Sequence, residues 1–169
     1  MKRLFSCTLL AGLMMTGSAL AQDTGTATIR FVGTIGAITC SLQTANLTIP
    51  LGAVSKTTFG GIGSASPWVG GNLVSSGCNA NLVSMTFSGT ADPNNLNMFA
   101  VTGGATGVAV QLDQAGGTQQ AVPNSSTPMT FAPAAAGGLY PFAARYVQTA
   151  TTVTTGTANA TITVLITYT

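Results

Sequence analysis

What limits this chain most is a two-residue alternation of apolar and polar side chains at both ends, with no sustained helical periodicity after residue 21. Near the start, Ala27, Ile29, Phe31, Gly33 and Ile35 fall on one face of an extended segment, and Thr28, Arg30, Val32 and Thr34 on the other. Near the end, Ala158, Ala160, Ile162, Val164, Ile166 and Tyr168 alternate with Asn159, Thr161, Thr163, Leu165 and Thr167. Between them the pattern predicts strands over residues 46–51, 71–76, 84–88, 98–101, 108–113, 129–131 and 143–149. Gly60-Gly61, Asp92-Pro93-Asn94-Asn95, Gly103-Gly104, Gly116-Gly117 and Gly137-Gly138 punctuate them as turns. Abundant Thr and Val suit strands. The expected fold is all-β, a sandwich of immunoglobulin-like size.

The first residues read differently. Lys2 and Arg3 precede an apolar stretch, Leu9 to Leu13 with Met14 and Met15, and Ala19-Leu20-Ala21 supplies the small-x-small pattern that signal peptidase accepts. Residues 1–21 are therefore predicted to be a cleaved secretory signal. The alternative is a membrane anchor, but the stretch is shorter than the about 20 residues that span a bilayer, and Thr16, Gly17 and Ser18 interrupt it.

Cleavage there leaves 148 residues, enough for one domain with a core. Their charges are Asp23, Arg30, Lys56, Asp92, Asp113 and Arg145, so the formal +2 of the whole chain falls to zero. There is no His and no Glu. Such a chain cannot build the clustered basic surface that nucleic acid requires, and histidine catalysis is excluded. At 46% hydrophobic it is no disordered solvating chain either. Cys40 and Cys78 remain after Cys7 leaves with the signal. In an oxidising compartment a disulfide is the first reading. A redox pair or half a metal site is the alternative, but there is no C-x-x-C spacing or nearby His to support it.

A sandwich built in this order has an edge problem. The good strand at 27–35 comes before Cys40, and the last strand stops at Thr169 with nothing after it to pair with. An exposed sheet edge is an association liability. A strand-like tail at one end and a strand lacking its neighbour at the other suggest completion between molecules. An ordinary first strand of a self-contained sandwich is the competing reading.

The chain resembles the pilus (fimbrial) subunits of the chaperone–usher pathway, above all the type 1-like pilins. The resemblance rests on Ile29-Arg30-Phe31-Val32-Gly33-Thr34-Ile35 followed by Cys40, Leu47-Thr48-Ile49-Pro50-Leu51-Gly52, and Leu73-Val74-Ser75-Ser76-Gly77-Cys78. Met85-Thr86-Phe87-Ser88-Gly89-Thr90, Gly107-Val108-Ala109-Val110-Gln111-Leu112 and Pro141-Phe142-Ala143-Ala144-Arg145-Tyr146 follow in order, ending at a penultimate aromatic, Tyr168.

The resemblance implies an incomplete immunoglobulin-like sandwich lacking its last strand. Residues 22–36 would be a donor-strand extension and 37–169 the domain with an open groove. A periplasmic chaperone would fill the groove first, and the tail of the next subunit would replace it at the outer-membrane usher, a form of strand addition established for pilins. The donor face would be Ala27, Ile29, Phe31, Gly33 and Ile35. The groove would be lined by Ile162, Val164 and Ile166, with Tyr168 and the carboxylate of Thr169 held by the chaperone. The chain would be a non-catalytic structural subunit of a cell-surface fimbria supporting adhesion, without cofactor or metal, not itself embedded in the membrane. Its partners would be like subunits, chaperone and usher.

Other readings carry less. A minor, adaptor or sugar-binding fimbrial subunit is one alternative, and a small outer-membrane β-barrel another. Asp113 beside Gln111 and Gln114 suggests a sugar-binding patch, though an aspartate flanking a turn is the plainer reading. Trp68, the sole tryptophan, could stack on a sugar, but packing in the core or a loop is expected. Asn46, Asn124 and Asn159 fit the glycosylation pattern, which is discounted because the signal looks bacterial. Titratable groups are too few and too widely spaced for an active site.

Overall fold

Alternation becomes two sheets. The computed structural model describes residues 39–131 and 138–169. The predicted signal and donor strand lie outside the described residues. The described strands are β1 (Ser41–Leu42), β2 (Val69–Ser76), β3 (Val83–Ser88), β4 (Ala91–Asp92), β5 (Asn95–Ala100), β6 (Val108–Gln114), β7 (Gln120–Ala121), β8 (Met129–Phe131), β9 (Leu139–Gln148) and β10 (Thr163–Tyr168). Helical structure among them is a single 3-10 turn, Lys56–Thr58, whose first backbone N–H groups are capped by Ser55.

The larger sheet has the order β1-β2-β9-β6-β5-β4, with β7 also pairing β6, and the smaller has the order β10-β3-β8. All the named pairs are antiparallel, for example Gln111 opposite Arg145 and Val164 opposite Phe87. The inner faces meet in one apolar layer. Leu73, Val110, Leu112, Tyr140, Phe142 and Ala144 come from the large sheet, and Val83, Met85, Phe87, Met129 and Phe131 from the small one. Phe131 packs edge-on against both Tyr140 and Phe142, at 5.2 and 5.7 Å between ring centroids. Such contacts fix the spacing of the two sheets beyond what area burial supplies. This is an immunoglobulin-like β-sandwich, not a single closed barrel. Among the described residues no helix is long and apolar enough to cross a membrane.

The strand expectations need correction in three places. Residues 46–51 form no strand. The final strand begins at Thr163, not Ala158. Residues 154–159 instead make isolated bridges to 102–106. β9 starts earlier than expected, at Leu139. Pro141 argues against a strand in sequence, but it lies past the end of the β6 ladder, whose last pair is Gln114 with Phe142.

The bridges to residues 154–159 depend on Gly107. Its φ is +77°, and a Cβ there would meet the Thr152 carbonyl oxygen at 2.0 Å. Neither the left-handed backbone nor the close approach suits another residue. Gly107→Ala is expected to cost about 2 kcal/mol or more, read as a lower denaturation midpoint at unchanged slope. An unchanged midpoint would show that the loop yields freely.

Candidate strand-acceptor groove

β10 is where the sandwich is open. Among the described residues it is an edge strand, pairing with β3 on one side only. Its side chains alternate between half-buried Val164, Ile166 and Tyr168 and exposed Thr163, Leu165 and Thr167. Together with Ile162, the half-buried set leans on the core, and Ile162, Val164 and Ile166 also face a trough of about 850 Å³.

The opposite wall is the segment that failed to become a strand. After Cys40, β1 pairs with the end of β2, and Gln43 and Thr44 still donate N–H bonds to the Val74 carbonyl at 2.8 and 3.3 Å. From there the chain runs along the trough. Ile49 and Leu51 pack against the core, and residues 44–52 line the wall. Gly71 on β2 permits this close approach, since a Cβ there would lie 2.7 Å from Ile49 Cγ1. Leu47, Ile49 and Leu51 alternate as a strand would, but a strand is a hydrogen-bonded partnership, and among the described residues no partner lies beside this segment. Its missing neighbour and that of β10 are the same gap.

The floor is the sandwich core: Leu73, Phe87, Val110, Leu112, Phe142 and Ala144. Among the described residues no charged one lines the trough. At the end near residues 158–162 it adjoins a second cavity of about 360 Å³, walled by Val54, Phe59, Val108, Tyr146 and Val153 with Lys56 at its side. The Tyr146 hydroxyl donates to the Ala158 carbonyl at 2.6 Å and pins this margin. Burial raises the Tyr146 phenol above its ordinary pKa.

The sequence-predicted site residues separate into three groups. Ile162, Val164 and Ile166 line the trough together. Tyr168 and Thr169 lie beyond its lining: Tyr168 pairs with Val83, and the Thr169 carbonyl oxygen accepts from the N–H groups of Asn81 and Leu82 at 2.7 and 2.9 Å. Burial, with Tyr140 nearby, raises the Tyr168 phenol, against the opposing effect of the Ser75 hydroxyl. The donor residues Ala27, Ile29, Phe31, Gly33 and Ile35 fall outside the described residues. Cys40 and Cys78 form a disulfide, Cα to Cα 4.2 Å, which anchors the start of the 44–52 wall. Sequence reasoning missed that wall and the second cavity. The floor was legible in principle from the alternation of Val108, Val110 and Leu112.

A two-sheet sandwich whose edge strand has, among the described residues, a neighbour on one side only, with a trough between that strand and residues 44–52, fits a class, the β-sandwiches that are completed by an added strand. The pattern of the fimbrial protein family matches residues 29–169. Protein LpfE of Salmonella typhimurium is 32% identical over 166 residues, covering 94% of each chain. The S-fimbrial adhesin protein SfaS of Escherichia coli is 37% identical over 108 residues, covering 63% of each. A subunit in the structure of a chaperone–usher pilus superposes with a TM-score of 0.66 at 21% identity, covering 89% of this chain and all of that one. The chain belongs to the fimbrial protein family.

Proposed function

We propose that this chain is a structural subunit of a chaperone–usher pilus that polymerises head to tail by donor-strand exchange. The trough between residues 44–52 and β10 is the observation that supports the reading. An added strand there would gain a backbone ladder on both edges and bury alternate side chains on the floor. Residues 1–21 are the cleaved signal, 22–36 the donor extension and 37–169 the acceptor domain. Ala27, Ile29, Phe31, Gly33 and Ile35 of one subunit enter the trough of the next, against Ile162, Val164 and Ile166. A periplasmic chaperone holds the trough beforehand, with Tyr168 and Thr169 at its anchored end, and an outer-membrane usher supports the exchange. Head-to-tail contact of this kind does not close, so the product is a filament at the cell surface. The chain has no catalytic role and binds neither cofactor nor nucleic acid.

A ten-residue donor spans roughly 33 Å. Burial of two Ile and one Phe contributes about 5–9 kcal/mol gross. Ordering a free tail opposes this by about 1–2 kcal/mol per residue, so the ladder and the already folded acceptor must contribute. Gly33→Asn is expected to block polymerisation while the subunit still accumulates with its chaperone. Surface material in unheated detergent would then lose its ladder of multimers. An unchanged ladder would overturn the donor assignment.

A further inference from the structure

The strands that floor the trough carry a different surface on their other side. Val110, Leu112, Ala144 and Tyr146 point into the sandwich, so Gln111, Asp113 and Arg145 face outward on β6 and β9. Gln111 and Arg145 are direct register partners. Trp68 stands beside them, immediately before β2. The hydroxyl of its neighbour Ser66 accepts from the Tyr146 N–H at 3.0 Å, and the Ser66 N–H donates to the Tyr146 carbonyl at 2.9 Å. Trp68 is 42% exposed, so of the two expected placements, core or loop, it takes the loop.

The side chains form one connected row. The Arg145 guanidinium lies 4.2 Å over the Trp68 ring, and its Nε donates to Gln111 Oε1 at 3.0 Å. Gln111 Nε2 donates to Asp113 Oδ2 at 3.1 Å and Oδ1 at 3.3 Å. This holds three polar groups and an indole in fixed orientation. Of the charged residues in the described part, Lys56, Asp92, Asp113 and Arg145, two stand in this one row. Burial raises the Asp113 carboxyl above the usual carboxylate range, opposed by the Gln111 amide and the Arg145 charge.

The unused bonding capacity points to a ligand class. A guanidinium has five N–H donors, and among the described residues Arg145 spends only Nε on a hydrogen bond. A carboxylate offers about four lone-pair sites, and Gln111 occupies two on Asp113. The row therefore presents donors and acceptors together, at zero formal charge, next to an exposed indole. A bare anion would satisfy Arg145 and be repelled by Asp113, and a cation the reverse. A vicinal diol satisfies both, because each hydroxyl donates and accepts, while the C–H face of its ring packs on the exposed part of the indole. We propose that the Trp68–Arg145–Gln111–Asp113 row binds a neutral saccharide, on the side of the sheet away from the trough.

Trp68 is the chain's only tryptophan, so its fluorescence reports on the row directly and does not depend on assembly. The exported protein would be titrated with the methyl glycosides of galactose, glucose, mannose and N-acetylglucosamine, and with galacturonate and a sialyl-lactose, each to about 10 mM, tenfold past a weak Kd of about 1 mM. Saturable change in Trp68 emission with at least one neutral sugar, weakened tenfold or more by Asp113→Asn, is the expected result. Asp113→Asn keeps the shape of the row and removes its charge, and Asn72→Ala on exposed β2 serves as a control without effect. Where a variant is poorly exported, competition between neutral sugars on wild-type protein gives the same answer through their ranking. No saturable change with any neutral sugar, a response to the acidic sugars alone, or equal binding by Asp113→Asn would overturn the proposal.

Discussion

Val164→Asp is expected to abolish assembled fibre, whereas Leu165→Asp on the same strand leaves it intact. Val164 leans into the trough above its apolar floor, and an incoming strand would cover it. A carboxylate covered there without a partner costs about 3 kcal/mol or more, a factor of roughly 100 in strand affinity. Leu165 is 67% exposed on the opposite face of β10, where a charge stays in water. Immunoblots of material sheared from cells would show surface protein falling roughly hundredfold for the first variant and little for the second. Equal yields would mean that the trough is not where subunits join. The adjacency of the two positions is what makes the comparison sharp, because general damage to β10 would affect both.

Cys78→Ala is expected to lower the thermal midpoint by about 10 °C, measured against the oxidised wild type. The disulfide closes a separation of 38 residues, and freeing a loop of that size costs about 4 kcal/mol in the chain-entropy account. The native state should suffer locally as well. Residues 41–52 are held to the large sheet by a two-residue ladder and two further N–H bonds to Val74. Without the tether at Cys40 this wall is the first part to open, and hydrogen exchange at residues 42–44 should rise more than exchange in β6 or β9. A midpoint within about 2 °C of wild type would show that the apolar contacts of Ile49 and Leu51 hold the wall alone.

Much of the fold was legible because β-structure writes itself locally as alternation. β6 and β8 fell almost where the pattern placed them, and Ile162, Val164 and Ile166 were correctly grouped as one face. Residues 46–51 show where that logic stops. Ile49 and Leu51 do turn inward, but Leu47 stays exposed, and the backbone pairing that makes a strand depends on a neighbour distant in sequence. The partner of Trp68 was illegible for a related reason. Its short-range context, Ser66-Pro67-Trp68, contains nothing about Arg145, which reaches the indole only because β2 and β9 pair.

The amino-acid order was therefore sufficient for the all-β class, the charge poverty and the inward face of β10, since each depends on residue type and short spacing, and for the pairing of Cys40 with Cys78, since only two cysteines follow the predicted signal. The sheet order, the shared gap beside β10 and residues 44–52, and the outward row from Trp68 to Asp113 emerged from packing alone. They are relations between segments dozens of residues apart, and the free energy that selects them is gained only when those segments meet.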